Sequence, residues 1–230
     1  MNSAAGKSTA IKDLKVLQEA AKDFRYLLNR AYPRKAALEL VGNRYQLLFD
    51  ERHLLHRGVF SDDDSGLRRK KKISSREIRD KDLAIDGYNA IITIEAGLSK
   101  KPLILGDDGY VRDISGRSGS FKKTETTESA IQLIFNALKK MKPRKTLFLF
   151  DSPISRSGVL AQQVRSLMEK ENLSGDARAV KVPEKILIGF PGVVATSDTA
   201  IIDQSKEVVD LAGEIIRRRI RSKSLLRWKK

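Results

Sequence analysis

Three aspartates that close short apolar runs are the residues of this chain best placed to do chemistry. Asp86 ends Leu83-Ala84-Ile85 and is followed by Gly87-Tyr88-Asn89; Asp151 ends Leu147-Phe148-Leu149-Phe150; Asp198 ends Val193-Val194-Ala195-Thr196-Ser197. Apolar runs of that density fit strands buried on both faces, as at the centre of a parallel sheet. Glycine at position 87 suits the tight turn that must follow the first of them. Open α/β sheets keep their sites at the carboxyl ends of their strands. Parallel pairing of the three runs would therefore gather carboxylates that are far apart in sequence onto one rim, an arrangement suited to a divalent cation.

Composition narrows that chemistry. The chain has 230 residues, no cysteine and two histidines, His53 and His56. Disulfides, thiolate nucleophiles and cysteine zinc sites are excluded, and any ion must be held by oxygen, which favours Mg²⁺ or Mn²⁺. A formal net charge of +16 points to a polyanionic partner. Charge alone leaves RNA, the ribosome, DNA and anionic membranes open. No apolar run approaches the ~20 residues of a spanning helix, and the start of the chain has no apolar signal region. A cytoplasmic protein with no membrane segment is expected.

The elements that must position the aspartates follow from periodicity. Helical spacing over Ile11 to Asn29, Arg34 to Val41 and Arg44 to His56 predicts a small helical N-terminal domain, residues 1–60. Its Arg34, Arg44 and Arg57 are candidate phosphate contacts, with ordinary helix-surface charge as the alternative. Gly6-Lys7-Ser8-Thr9 lacks the earlier glycine and buried strand of a P-loop. The acidic stretch Ser61 to Gly66 and basic stretch Leu67 to Lys72 read as a solvated, charge-segregated linker within 61–80.

Strands and helices then alternate through residues 81–222. A helix from Asn89 to Leu98 carries Glu95, and a hairpin turns on Asp107-Asp108-Gly109. A Gly- and Ser-rich mobile loop spans 115–123. Further helices are expected over 125–140, 157–171 and 212–220, and strands over 177–182 and 208–211. This pattern predicts an α/β fold: a three-layer α/β/α domain with a mostly parallel central sheet, after the helical N-terminal part. Ser155-Arg156-Ser157 opens the helix after Asp151, where hydroxyls, free N–H groups and a guanidinium suit a phosphate; a plain helix cap is the alternative. Arg217, Arg218 and Arg221 precede a basic tail, 223–230, in which Trp228 lies among cations as in nucleic-acid contacts.

Ile85-Asp86-Gly87-Tyr88-Asn89, the strand ending in Asp151, and Thr196-Ser197-Asp198 together resemble the NYN branch of the PIN-like nuclease superfamily. That resemblance implies a metal-dependent endoribonuclease in which Asp86, Asp151 and Asp198 ligate the ion. Asp203 or Glu95 would be a fourth ligand, and Asn89 would orient a ligand or the scissile phosphate. The acid that many such enzymes carry after the first strand is open among Glu95, Asp107 and Asp113. Tyr32 to Tyr45 and Glu51 to Gly58 resemble the archaeal and bacterial family called domain of unknown function 434, whose longer members continue with similar Asp-Gly-Tyr-Asn and Asp-Ser-Pro-Ile-Ser-Arg-Ser-Gly segments. Two other readings stand beside the nuclease: a non-catalytic RNA- or ribosome-binding module on the same fold, and a phosphatase acting on a small substrate.

Overall fold

Five parallel strands build the main sheet in the order β5-β4-β1-β6-β7. They are β1 (Asp82–Asp86), β4 (Lys145–Asp151), β5 (Gly175–Val180), β6 (Val193–Ala195) and β7 (Glu207–Val209). The computed structural model describes residues 13–114 and 124–229, so the P-loop-like start and the 115–123 loop lie outside the described residues.

Alternation along the strands decides what covers each face. Leu83, Ile85, Phe148, Phe150, Val193 and Ala195 point to one side, where they pack against α5 (Gly87–Leu98), α6 (Glu125–Met141), α7 (Ser157–Lys170) and α10 (Leu211–Ile215). Ala84, Leu149 and Val194 point to the other, against α8 (Pro183–Ile188) and α9 (Thr199–Gln204). Three layers result, as the alternation of strand and helix predicts. Burial on both faces is why the inner strands β1, β4 and β6 are largely apolar.

The helical N-terminal region consists of α1 (Leu14–Asn29), α2 (Arg34–Arg44) and α3 (Phe49–Gly58). Asp13 caps α1 by accepting from the N–H groups of Lys15 and Val16, at 2.7 and 3.4 Å, and Leu17, Ala20, Ala21 and Phe24 form its buried stripe. Gly42 and Asn43, which follow the expected end of the second helix at Val41, lie inside it. A Cβ on Gly42 would sit 2.1 Å from the Arg52 guanidinium, so glycine serves close packing there.

The expected linker is a helix, α4 (Asp62–Lys71). Ser61 caps it by accepting from the Asp64 N–H, three aspartates occupy its first turn, and Arg68 to Lys71 fill its last. Charge segregation of that order complements the helix dipole at both ends. Its Arg68 is buried, and a 3₁₀ turn, Ser75–Ile78, follows before β1.

A second sheet, ordered β3-β2-β8, joins the two regions. The Asp-Gly hairpin forms as expected between β2 (Leu103–Leu105) and β3 (Val111–Asp113), and β8 (Leu225–Arg227) adds parallel to β2. One face, through Ile104, Leu226 and Trp228, joins the core of α1 to α3. The other, through Leu103, Val111 and Leu225, packs on Ala96 of α5 and on Ile216, in the π-helical turn Ile216–Ile220 that continues α10. Residues 225–228 therefore supply a strand and an anchoring indole within the basic stretch.

Gly58 makes room for that indole, since a Cβ there would lie 2.4 Å from Ile104 and 2.6 Å from the Trp228 ring nitrogen. Trp228→Ala should cost about 2–4 kcal/mol, read as a lower urea midpoint with an unchanged m-value. An unchanged midpoint would mean that the tail carries no structural weight.

Candidate active site

The residues that end β1, β4 and β6 open onto one cleft of about 210 Å³. Asp86, Asp151 and Asp198 all line it, together with Asp113 and Glu184. Arg57, from the end of α3, is the one cation among the described residues that line it.

Register explains the convergence. Ile85 lies beside Phe148 on β4 and Ala195 on β6, so residues just beyond these positions emerge at the same edge. Gly87 then lets α5 start hard against β4: a Cβ there would be 2.4 Å from the Phe150 ring and 2.9 Å from the Leu149 carbonyl. Two links tie the ends of β1 and β6 together. The Thr196 hydroxyl donates to Asp86 at 2.9 Å, and the Asn89 side-chain oxygen accepts from both the N–H and the hydroxyl of Ser197 at 3.0 Å. Asp198 caps α9, accepting from Ala200 N–H at 2.8 Å and Ile201 N–H at 3.3 Å.

A buried arginine steadies this rim from behind. Arg112, on β3, donates through Nε to the Ser197 carbonyl at 2.7 Å, and its two Nη groups bond Asp108 at 2.9 and 2.7 Å. Arg57 reaches the cleft with a guanidinium nitrogen 3.9 Å from Asp113, whose carboxylate also accepts from the Thr93 hydroxyl at 3.1 Å.

Electrostatics records the crowding of like charge. Burial pushes the Asp86 carboxyl up to about 7, against the Thr196 hydroxyl and the Asn89 N–H, and the carboxylates of Asp198 and Glu184 add to the rise. Burial and the Glu184 carboxylate also raise Asp151, and burial with the Asp151 charge raises the Tyr88 phenol to about 12. Burial lowers the Arg57 guanidinium, while Asp113 and Asp198 pull it back up.

Several sequence candidates lie elsewhere. Asp203 is held by Arg68 through two bonds of 2.6 and 2.8 Å, which turns it toward α4 and out of the cleft lining. Glu95 accepts from the hydroxyls of Thr127 and Thr124 on the flank of α5. The Ser157 hydroxyl donates to the Ser152 carbonyl at 3.2 Å, and exposed Ser155 and Arg156 are not cleft residues. Arg34 closes the end of α3 by donating to the carbonyls of His56 and, at 2.7 Å, Val59; burial lowers its pKa to about 10. Arg217 pairs with buried Asp210 at 3.0 Å. Arg44, Arg218 and Arg221 stay on the surface, the first beside Asp23 at 3.7 Å and the second beside Glu214 at 3.9 Å.

Glu184 is the acid that sequence reasoning missed. Its signal was Val182-Pro183-Glu184: a proline in the first turn of a helix placed just after the carboxyl end of β5 puts the next side chain on the rim.

The donor chemistry fits a hard divalent ion, because the cleft offers several carboxylate oxygens whose negative charge a cation would offset. The spacing is open: among the described residues no three acidic or histidine side chains are grouped closely enough to hold an ion as they stand. No described helix is long and apolar enough to cross a membrane.

A fold with this carboxylate rim is an α/β domain carrying a helical N-terminal extension, and family comparison divides the chain the same way. Residues 75–214 match the family described as Domain of unknown function (DUF5616), to which the chain belongs, and residues 16–71 match Protein of unknown function (DUF434). The chain is similar to an uncharacterized protein of Methanocaldococcus jannaschii, with 34% identity over 202 residues, 87% of this chain and 96% of that one. The DUF434 resemblance of the N-terminal stretch is thereby shown, whereas the family over the α/β part is not one named for PIN-like nucleases. No solved structure matches the chain.

Asp86 has an ordinary carboxyl pKa of 3.8 when unfolded and about 7 when folded. The folded state therefore holds the extra proton between those values, and stability falls as pH rises from about 4 to about 7. Asp86→Asn removes the penalty. Its Tm should exceed that of the natural protein by roughly ten degrees at pH 8, on the order of 4 kcal/mol, and the difference should close near pH 4. A variant less stable at pH 8 than at pH 4, relative to the natural protein, would contradict the burial of a charged Asp86.

Proposed function

We propose that the protein is a divalent-metal-dependent endoribonuclease of the PIN-like, NYN type. The observation that carries the reading is the convergence of Asp86, Asp151 and Asp198 on one cleft at the carboxyl edge of a parallel sheet, in a chain of net charge +16. In this reading Asp86, Asp151 and Asp198 hold Mg²⁺ or Mn²⁺, with Asp113 or Glu184 as the further acid in place of Asp203 and Glu95. A bound ion supplies Lewis-acid charge that polarises the phosphodiester and favours ionisation of the attacking water.

The chain's own groups do the rest. Arg57 is the guanidinium available to a phosphate oxygen within the cleft, and its partial burial strengthens that contact. Asn89 acts as a positioning residue, because its side chain clamps Ser197 and so fixes the direction of Asp198. The basic surface supplies the sequence-independent attraction that holds RNA, and it weakens with salt.

A second reading draws on the open spacing of the carboxylates: a non-catalytic RNA- or ribosome-associated module in the cytoplasm, on the same fold. Single-turnover assays on end-labelled RNA separate the two. With Mn²⁺ the nuclease reading expects cleavage that EDTA abolishes, and Asp86→Asn and Asp151→Asn should each slow it by at least about 10²-fold. Arg57→Ala should slow it by about 10–10³-fold, as for loss of one group that stabilises developing charge. Undiminished cleavage by Asp86→Asn rejects the site. Salt-sensitive RNA binding with no cleavage by the natural protein favours the second reading.

A further inference from the structure

At the other end of the main sheet a larger cleft, about 640 Å³, opens between the 3₁₀ turn, the last turns of α6 and the segment that runs from α10 into the π-helical turn. The 3₁₀ turn and α6 lead into the amino ends of β1 and β4, so this cleft and the carboxylate rim lie at opposite edges of the strands. Its floor is apolar, formed by Leu133, Ala137, Met141 and Ile215.

Among the described residues six cations surround that floor, against a single carboxylate, Glu214. Lys139 is paired with Glu171, and Arg218 lies 3.9 Å from Glu214. Glu214 is itself engaged, accepting from the Ser75 N–H at 3.1 Å. Arg76, Arg79, Lys140 and Arg219 are exposed and make no hydrogen bond or ion pair through their side chains with any described residue. These four cations have no acidic partner of their own among the described residues, and held around an apolar hollow they repel one another. An anion that also presents a flat apolar surface relieves both features at once. The volume lies within the ~300–1,000 Å³ of small-ligand sites.

We propose that this cleft binds a nucleoside polyphosphate, with the base on the Leu133–Met141 floor and the phosphates on Arg76, Arg79, Lys140 and Arg219. A linear triphosphate carries about the negative charge that four cations balance, each phosphate group contributing roughly one to two. A bare phosphate chain would leave the apolar floor in water. The same chemistry is available from a free nucleotide or from the 5′-triphosphate end of an RNA. None of these residues lines the carboxylate cleft, so the proposal stands or falls apart from the nuclease reading.

The test is calorimetric titration of the full chain with ATP, adenosine and inorganic tripolyphosphate. EDTA is present throughout, so that no metal–nucleotide complex forms at the carboxylates. ATP should bind with one-to-one stoichiometry and at least tenfold more tightly than either fragment. The doubly substituted R79E/R219E protein, whose changes fall on exposed side chains, should keep its Tm and lose at least tenfold in ATP affinity, while Asp86→Asn keeps the natural affinity. Displacement of ATP by a 5′-triphosphorylated oligonucleotide but not by its 5′-hydroxyl counterpart would assign the cleft to RNA ends; displacement by neither would assign it to the free nucleotide. Equal displacement by both, tripolyphosphate binding as tight as ATP, or unchanged ATP affinity in R79E/R219E would overturn the proposal.

Discussion

Two hydrogen-bonded links across the ends of β1 and β6, Asp86 with Thr196 and Asn89 with Ser197, hold together a rim that electrostatics alone would push apart. Burial first, and then the charges of Asp198 and Glu184, push the Asp86 carboxyl up, and burial with Glu184 does the same at Asp151. The parallel register makes the crowding unavoidable once the strands pair, because the chain leaves all of them in the same direction. Stability for that arrangement comes from elsewhere. Leu83, Ile85, Phe148 and Phe150 are almost wholly buried within the largest apolar cluster, and burying such side chains is worth roughly 1.5–3 kcal/mol each.

The helical region is tied to this rim by charge as well as by apolar contact. Around the Phe60 ring stand the guanidinium groups of Arg34, Arg68 and Arg112, at 4.7, 4.6 and 5.0 Å from its centre. Asp108, fully buried, bonds Arg112, and Asp203 bonds Arg68, so two of the three cations on the aromatic face are paired with carboxylates, while Arg34 donates to backbone carbonyls. The Arg112–Asp108 pair is buried on both sides, and such a pair adds little net stability against an apolar substitute, but removing one partner is costly. Arg112 also contacts the Arg57 carbonyl at 3.4 Å, so one side chain touches both the β6 loop and the residue that brings positive charge into the cleft. The second sheet completes the connection, with Ile104 on the helical side and Leu103 on the α/β side of the same strand.

What the sequence made legible was whatever burial on both faces imposes. Apolar runs ending in Asp86, Asp151 and Asp198 read directly as central strands, and their meeting at one edge followed from parallel pairing. Asp-Gly read correctly as a hairpin, because turn geometry is local. Elements whose logic is electrostatic or long-range were harder. The Asp62 to Lys71 stretch resembles a solvated linker in composition, and only the order of its charges reveals a helix whose dipole they complement. Trp228 among lysines and arginines suggested a nucleic-acid contact, yet its place depends on a parallel pairing with residues more than a hundred positions earlier. Asp203 and Glu95 have the right residue type near the right strands, but partners from distant helices claim them.

The central claim is that the carboxylates of the sheet rim form a seat for a hard cation. Crystals soaked in Mn²⁺ and measured by anomalous diffraction test it most directly. The account predicts an anomalous peak within bonding distance of Asp86 and at least one of Asp151 and Asp198, with side-chain movement drawing the rim inward. A well-ordered rim with no such peak, or manganese bound only at carboxylates outside this cleft, would contradict it.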